Sequence, residues 1–330
     1  MAFFSWLRSR TSIRPPRGRA QHRPAAARFR PQLEALEDRC VPSTLKVTNL
    51  HKPPPPPPPP VNNTLTVTNL NDSGPGSLRD EIAAAQSGYT IVFDKNLDGR
   101  TIALTSGELI INNNLTIQGP GAGLLTVTNG RGNYGSRIFE VDGSTVTLSG
   151  MTISNGVGVR QYIVDPAFGT DYYDGTGGGI LNLGALTISG CTLSGNTASG
   201  NSSHFFGGGG GGAVANFGTL TVSGCTLSNN STQGGGGGIY NAFGGTLTVS
   251  GCTLSGNSVV TGINYGGGII NFGTLTVSNS TLSGNSASSG GGIWNDGPAA
   301  ALTVLESIFS GNRPDNIFGP YTDGGGNSFR

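Results

Sequence analysis

Two blocks recur along the second half of the chain, and their spacing leaves few folds open. One is Gly-Thr-Leu-Thr-Val-Ser-Gly-Cys-Thr-Leu-Ser-Asn-Asn at 218–230, with relatives ending at Asn196, Asn257, Asn285 and Asn312. The other is Gly-Gly-Gly-Ile-x-Asn, ending at Asn182, Asn241, Asn271 and Asn295, with Gly-Gly-Ala-Val-Ala-Asn216 as a variant. Successive Asn residues of the second block stand 34, 25, 30 and 24 residues apart. The blocks hold their length while the segment after Leu-Ser-x-Asn changes. Fixed strands and elastic loops at a period of about 20–50 residues describe a solenoid.

The pattern within a block gives the kind of solenoid. Leu220 and Val222 alternate with Thr219, Thr221 and Ser223. One row of side chains faces a core and a Thr/Ser row faces water. Three such strands per repeat, with no helical period, predict an all-β chain of parallel coils, about eight of them stacked ~4.8 Å apart. Equivalent positions then form ladders. Met151, Cys191, Cys225, Cys252, Ser280 and Ser307 make one inward row, in which reduced Cys packs as a small apolar group. Leu193, Leu227, Leu254, Leu282 and Phe309 make another. Asn196, Asn230, Asn257, Asn285 and Asn312 form one turn ladder, and Asn182, Asn216, Asn241, Asn271 and Asn295 a second. Stacked amides can bond to one another and to turn backbone. The glycine runs at 207–212 and 234–238 lack the Lys-Ser/Thr and helix of a phosphate loop and read as flexible loops returning to a strand.

Charge divides the chain. Residues 1–52 carry a net charge of about +8 and residues 53–330 about −7, which together give the +1 of the whole. Eight Arg and no acid within 1–31 read as a targeting or disordered leader, with no nucleic-acid partner expected. Residues 53–60 are all proline, a stiff spacer of about 25 Å. Near copies flank it, Thr44–Leu50 and Thr64–Leu70, so an edge strand is duplicated and edge-to-edge self-association becomes an expectation. The organisation is thus leader and sorting-like segment 1–52, linker 53–60 and β domain 61–330. No apolar run is long enough for a transmembrane helix. Ser77–Gln86 reads as a helix, with Ser77 as N-cap, Asp80 at the capping-box position, and Leu78, Ile82 and Ala85 on one face.

Three segments carry resemblances. Leu33-Glu-Ala-Leu-Glu-Asp-Arg-Cys-Val-Pro-Ser43 resembles the L-E-x-L-E-x-R-x-x-P-S segment near the N-terminus of large bacterial envelope and extracellular proteins, which implies export or surface sorting. Gly-Gly-Gly-Ile alternating with Leu-Ser-x-Asn, and Phe309-Ser-Gly-Asn312, resembles the G-G-A-I and F-x-x-N repeats of polymorphic outer-membrane proteins. Asp72-Ser-Gly-Pro-Gly-Ser-Leu-Arg-Asp-Glu-Ile82 resembles the C-S-L-R-E-A motif that opens many bacterial β-helix proteins, with Gly76 in place of its Cys. Together these imply a pectin-lyase-like, right-handed parallel β-helix with the 77–86 helix capping its N-terminal end. They also imply an extracellular, cell-surface or outer-membrane-associated location. The chain reaches Arg330 without the membrane barrel usual in that family, so self-anchoring is not expected.

For function, one absence weighs most. No Asp, Glu, Lys or Arg occurs between Asp174 and Asp296, so general acid–base or metal chemistry has almost no side chains there. Enzymes on this fold act on polysaccharides, but fold alone is a weak warrant. The densest chemistry is the insertion 157–176, with Arg160, Tyr162, Asp165, Asp171, Tyr172, Tyr173 and Asp174. Its tyrosines could stack on sugars, and Asp165, Asp171 and Asp174 could hold Ca²⁺. The same residues also suit a solvated loop whose aromatics cover the coil side. No cofactor is expected beyond that Ca²⁺. The expected function is a non-catalytic secreted or cell-surface protein, adhesin-like or an envelope scaffold, with envelope or extracellular polysaccharide as its ligand class. The alternative is a polysaccharide lyase, a glycoside hydrolase or a degenerate relative.

Overall fold

Strands of the repeat stack coil upon coil in a computed structural model that describes residues 63–131, 136–158, 175–199, 210–260, 265–295, 297 and 299–330. The leader, the sorting-like segment, the polyproline spacer and the copy at 44–50 lie outside the described residues.

The coil beginning at Thr219 shows the plan. Thr219–Ser223 leads to Thr226–Ser228, then to Ser231–Thr232 and Ile239–Asn241, and Thr246–Ser250 opens the next coil. Each strand pairs in parallel with its counterpart one coil away, as in Leu220↔Leu247, Leu227↔Leu254 and Asn241↔Asn271. The result is four all-parallel sheets of ten, nine, eight and four strands, a right-handed parallel β-helix. The eight-stranded sheet has the expected number of coils. The ten-stranded sheet gains strands at both ends, where Thr64–Val67, Tyr89–Phe93 and Thr322–Asp323 join outside the repeat. The four-stranded sheet, built of two-residue strands such as Thr197–Ala198, was not expected from the sequence. Two residues are too few for alternation to show.

Inward rows of Leu, Ile and Val fill the bore, with Phe139 and Phe309 the largest fully buried side chains. The turn between the ten- and nine-stranded sheets needs a left-handed residue in each coil, supplied by Gly224 (φ 57°) in one and Asn279 (φ 49°) in another. Those are the residue types that reach this region at least cost.

Where they are described, the glycine runs are not flexible loops. Gly210–Gly212 and Gly234–Gly238 are buried and bond coil to coil, as in Gly212 N–H to Gly236 O at 3.2 Å and Gly237 N–H to Gly266 O at 3.0 Å. A Cβ on Gly237 would lie 2.5 Å from both Gly267 O and Ser258 N. The backbone of one coil is therefore pressed against that of the next, with no space for a side chain between them.

At the N-terminal end, helix α1 (Leu78–Ala84) buries Leu78 and Ile82 against the core. Ser77 Oγ accepts from Asp80 N–H at 3.2 Å, but the capping box stays half-made, because Ser77 N–H donates to Gly74 O. Arg79 does the fastening. It donates to Glu108 O and Gly107 O, both at 2.7 Å, and pairs with Asp72 at 3.0 Å. Asp72 also accepts from the Thr105 and Ser106 hydroxyls. Burial of Asp72 opposes ionisation, but the hydrogen bonds from Ser106, Arg79 and Thr105 and the Arg79 charge outweigh it and hold its carboxyl at about 2. The motif that opens the domain thus works as a clasp. With the folded value below the unfolded one, its stabilisation is complete above pH ~4 and fades as pH falls towards ~2. Asp72→Asn should lower stability at pH 7 by about 1 kcal/mol, the scale of a partly exposed charged hydrogen-bond set. The gap between variant and wild type should close between pH ~4 and ~2 in pH-dependent melting; a gap that persists unchanged at the lower limit refutes the clasp.

Candidate functional site

The insertion residues Tyr162, Asp165, Asp171, Tyr172, Tyr173 and Asp174 lie outside the described residues. Among the described residues, no group of three or more His, Cys, Asp or Glu side chains is placed to hold a metal.

The ladder residues are described, and each side chain has a definite task. Asn257 Nδ2 donates to Leu227 O at 3.0 Å and to Asn285 Oδ1 at 2.9 Å. Its Oδ1 accepts from Asn230 N–H at 3.1 Å and Asn230 Nδ2 at 2.9 Å. Asn230 and Asn285 repeat this arrangement, Asn196 opens it by accepting from Gly156 N–H, and Asn312 ends it on Asn316. In the second ladder Asn182, Asn216, Asn241 and Asn271 each donate to the next amide oxygen at 2.6–2.7 Å, and Asn295 ends on Pro320 O. These ten positions saturate a buried polar seam that would otherwise cost stability.

The cysteine row is less inert than its packing suggests. Cys191 N–H donates to Cys225 Sγ and Cys225 N–H to Cys252 Sγ, both at 3.4 Å. Cys252 N–H then donates to Ser280 Oγ at 3.1 Å. Each thiol donates back to the carbonyl two residues before it. From Cys191 onward the row takes small groups that both donate and accept, which explains why Ser280 and Ser307 continue it. All three Cys are buried and unbridged. The hydrogen bond with Cys191 and burial push the Cys225 thiol up to about 11. The bond with Cys225 and burial likewise raise Cys252, whereas the bond with Cys225 lowers Cys191. Cys225 and Cys252 therefore stay thiols at neutral pH, which is the unreactive form.

Charge is concentrated near the N-terminal coils. Arg137 pairs with Glu108 at 2.6 Å and reaches Glu140 at 3.6 Å, so one guanidinium holds both carboxylates.

The outer face of the eight-stranded sheet holds what the sequence reading missed. The middle residue of Ile-x-Asn points away from the bore, and the register aligns Tyr240 with Ile270, Ile270 with Trp294 and Trp294 with Phe318. Phe217, Phe243 and Phe272 join from the turn after the Asn. The rings touch in sequence, Phe217–Tyr240 (5.8 Å between centroids), Tyr240–Phe272 (5.7 Å), Phe272–Trp294 (5.3 Å) and Trp294–Phe318 (6.3 Å). Phe243 stacks on Phe272 and Tyr265 on Trp294, both at 5.1 Å. Tyr240 and Trp294 are 8% exposed, whereas Phe243 is 40% and Phe318 41% exposed. Burial pushes the Tyr240 phenol up to about 12, so it remains a neutral hydroxyl. The result is an apolar strip along the rod, supported from below and open at Phe243 and Phe318. The signal was present in the sequence as aromatics within or just after the repeated Asn blocks from Asn216 onward. Their offsets differ, one residue after Asn216 and two after Asn241, which hides the alignment. No family model matches the chain, and no curated protein matches it.

Proposed function

We propose that this chain is a non-catalytic β-helix protein of the cell surface or exterior, adhesin-like or an envelope scaffold, that holds polysaccharide on its aromatic strip. The observation that carries the reading is the strip itself. It offers planar apolar rings to sugar faces, and all of them but Phe318 come from a stretch that has no Asp, Glu, Lys or Arg, 175 to 295. That chemistry suits a neutral glycan. The leader resemblance supports the location, and the Gly-Gly-Gly-Ile and Leu-Ser-x-Asn spacing supports kinship with the pectin-lyase-like and polymorphic outer-membrane repeats.

Affinity electrophoresis through gels containing single neutral polysaccharides should retard the protein. Phe243→Ala and Phe318→Ala should each weaken the retardation about five- to tenfold, the scale of losing one stacking contact. No retardation by any neutral glycan, or equal retardation of both variants, overturns the reading. Release of reducing or unsaturated ends that is lost in Glu108→Gln would establish the enzyme alternative instead.

A further inference from the structure

A different face, the outer side of the ten-stranded sheet, has a regularity that polysaccharide binding does not use. From Thr64 on its first strand to Thr322 on its last, the register places a threonine in one central row on every strand. The row persists where the flanking residues change, as at Val92, Gln118 and Leu305. Between Thr145–Ser149 and Thr274–Ser278, every outward position of this sheet carries a hydroxyl except Ala185. None is charged or aromatic. The hydroxyls of Thr147, Thr187, Thr221, Thr248 and Thr276 bond to no other group among the described residues. Side-chain pairing therefore does not account for the row.

Strand pairing fixes these side chains about 4.8 Å apart from coil to coil and about 6.7 Å apart along each strand. β-branching restricts their rotamers, so methyl and hydroxyl repeat as a lattice. A soluble glycan would seek planar rings, which lie on another sheet. A protein partner would seek the aromatic and Arg anchors that dominate interfaces, and this face has none. A methyl restrains the water beside it, and a free hydroxyl fixes a water oxygen by hydrogen bonding. Alternating the two on a rigid net orders a sheet of water. We propose that this face binds the surface of ice, independently of the glycan reading.

The test measures thermal hysteresis, crystal shaping and enrichment in a slowly grown ice fraction for the full chain. Thr221→Tyr and Thr248→Tyr break the net at its centre, and Thr253→Tyr places the same bulk on the outer face of the nine-stranded sheet. Circular dichroism and melting confirm that each variant is folded. Wild type and Thr253→Tyr should shape ice and enter the frozen fraction, whereas the two central variants should lose about tenfold in activity, equivalent to about 1.4 kcal/mol. Phe243→Ala should bind ice as wild type does, whatever its effect on glycans. A wild-type chain that neither shapes nor enters ice overturns the proposal. So does activity unchanged by Thr248→Tyr, equal loss from Thr253→Tyr, or Thr248-dependent binding to insoluble crystalline polysaccharide in place of ice.

Discussion

Asn257→Leu is expected to destabilise the domain by about 3–5 kcal/mol, well beyond the ordinary range for one substitution. Asn257 makes four bonds within a buried seam, and leucine removes all four. It leaves the Asn230 N–H and one hydrogen of the Asn230 amide without partners, each costing about 1–3 kcal/mol if it stays dry, and takes one donor from the Leu227 carbonyl. Thr248→Val, on the outward row of the same coil, should cost less than about 0.5 kcal/mol. Chemical denaturation of the two variants decides the matter. Equal losses would mean that the amides of the seam find water when the ladder is cut.

Gly237→Ala should be comparably damaging, at about 3–5 kcal/mol, although it adds one methyl group. The new carbon would lie 2.5 Å from Gly267 O and Ser258 N and 2.6 Å from Ser258 O. All three are backbone atoms, so no rotamer change relieves the clash. The coil must open, and the bonds from Gly237 N–H to Gly266 O and from Gly238 N–H to Gly267 O lie in the path of that opening. Gly123, with nothing within 4 Å of its would-be Cβ, supplies the comparison, and Gly123→Ala should change stability by less than about 0.5 kcal/mol. Similar melting of both variants would show that the glycine arm tolerates displacement.

These two positions mark what could and could not be read from sequence. Asn257 was legible because parallel, in-register stacking puts the same residue at the same place in every coil, so a ladder appears as a repeat. Leu220 and Val222 were legible for the same reason. Gly237 was misread because a glycine run has the same composition whether it is a loose loop or a backbone pressed against another backbone. Contact between Gly237 and Ser258 depends on the cross-section of the coil, which periodicity does not specify. Cys225 was placed correctly in the bore. Its second task, accepting the N–H of Cys191, is visible only once the turn leaves that N–H without a ladder partner. Of the candidate site, the strip from Tyr240 to Phe318 escaped notice because the uneven loops shift its aromatics relative to the repeat.

The directionality of the amide seam also bears on how such a molecule can change in size. Along the amide-to-amide bonds, each Asn gives to the amide ahead and receives from the amide behind, so every interior coil presents the same lower and upper surface. Asn230 and Asn257 are each followed by serine and stand 27 residues apart. Excision of that interval would bring Asn230 against Asn285 with the polarity of the seam intact. Length is therefore separable from cross-section. Whole turns can be gained or lost as units of the repeat, while the clasp at Asp72 and the terminal partners Asn316 and Pro320 stay in place. The chain is built as a ruler whose graduations are interchangeable.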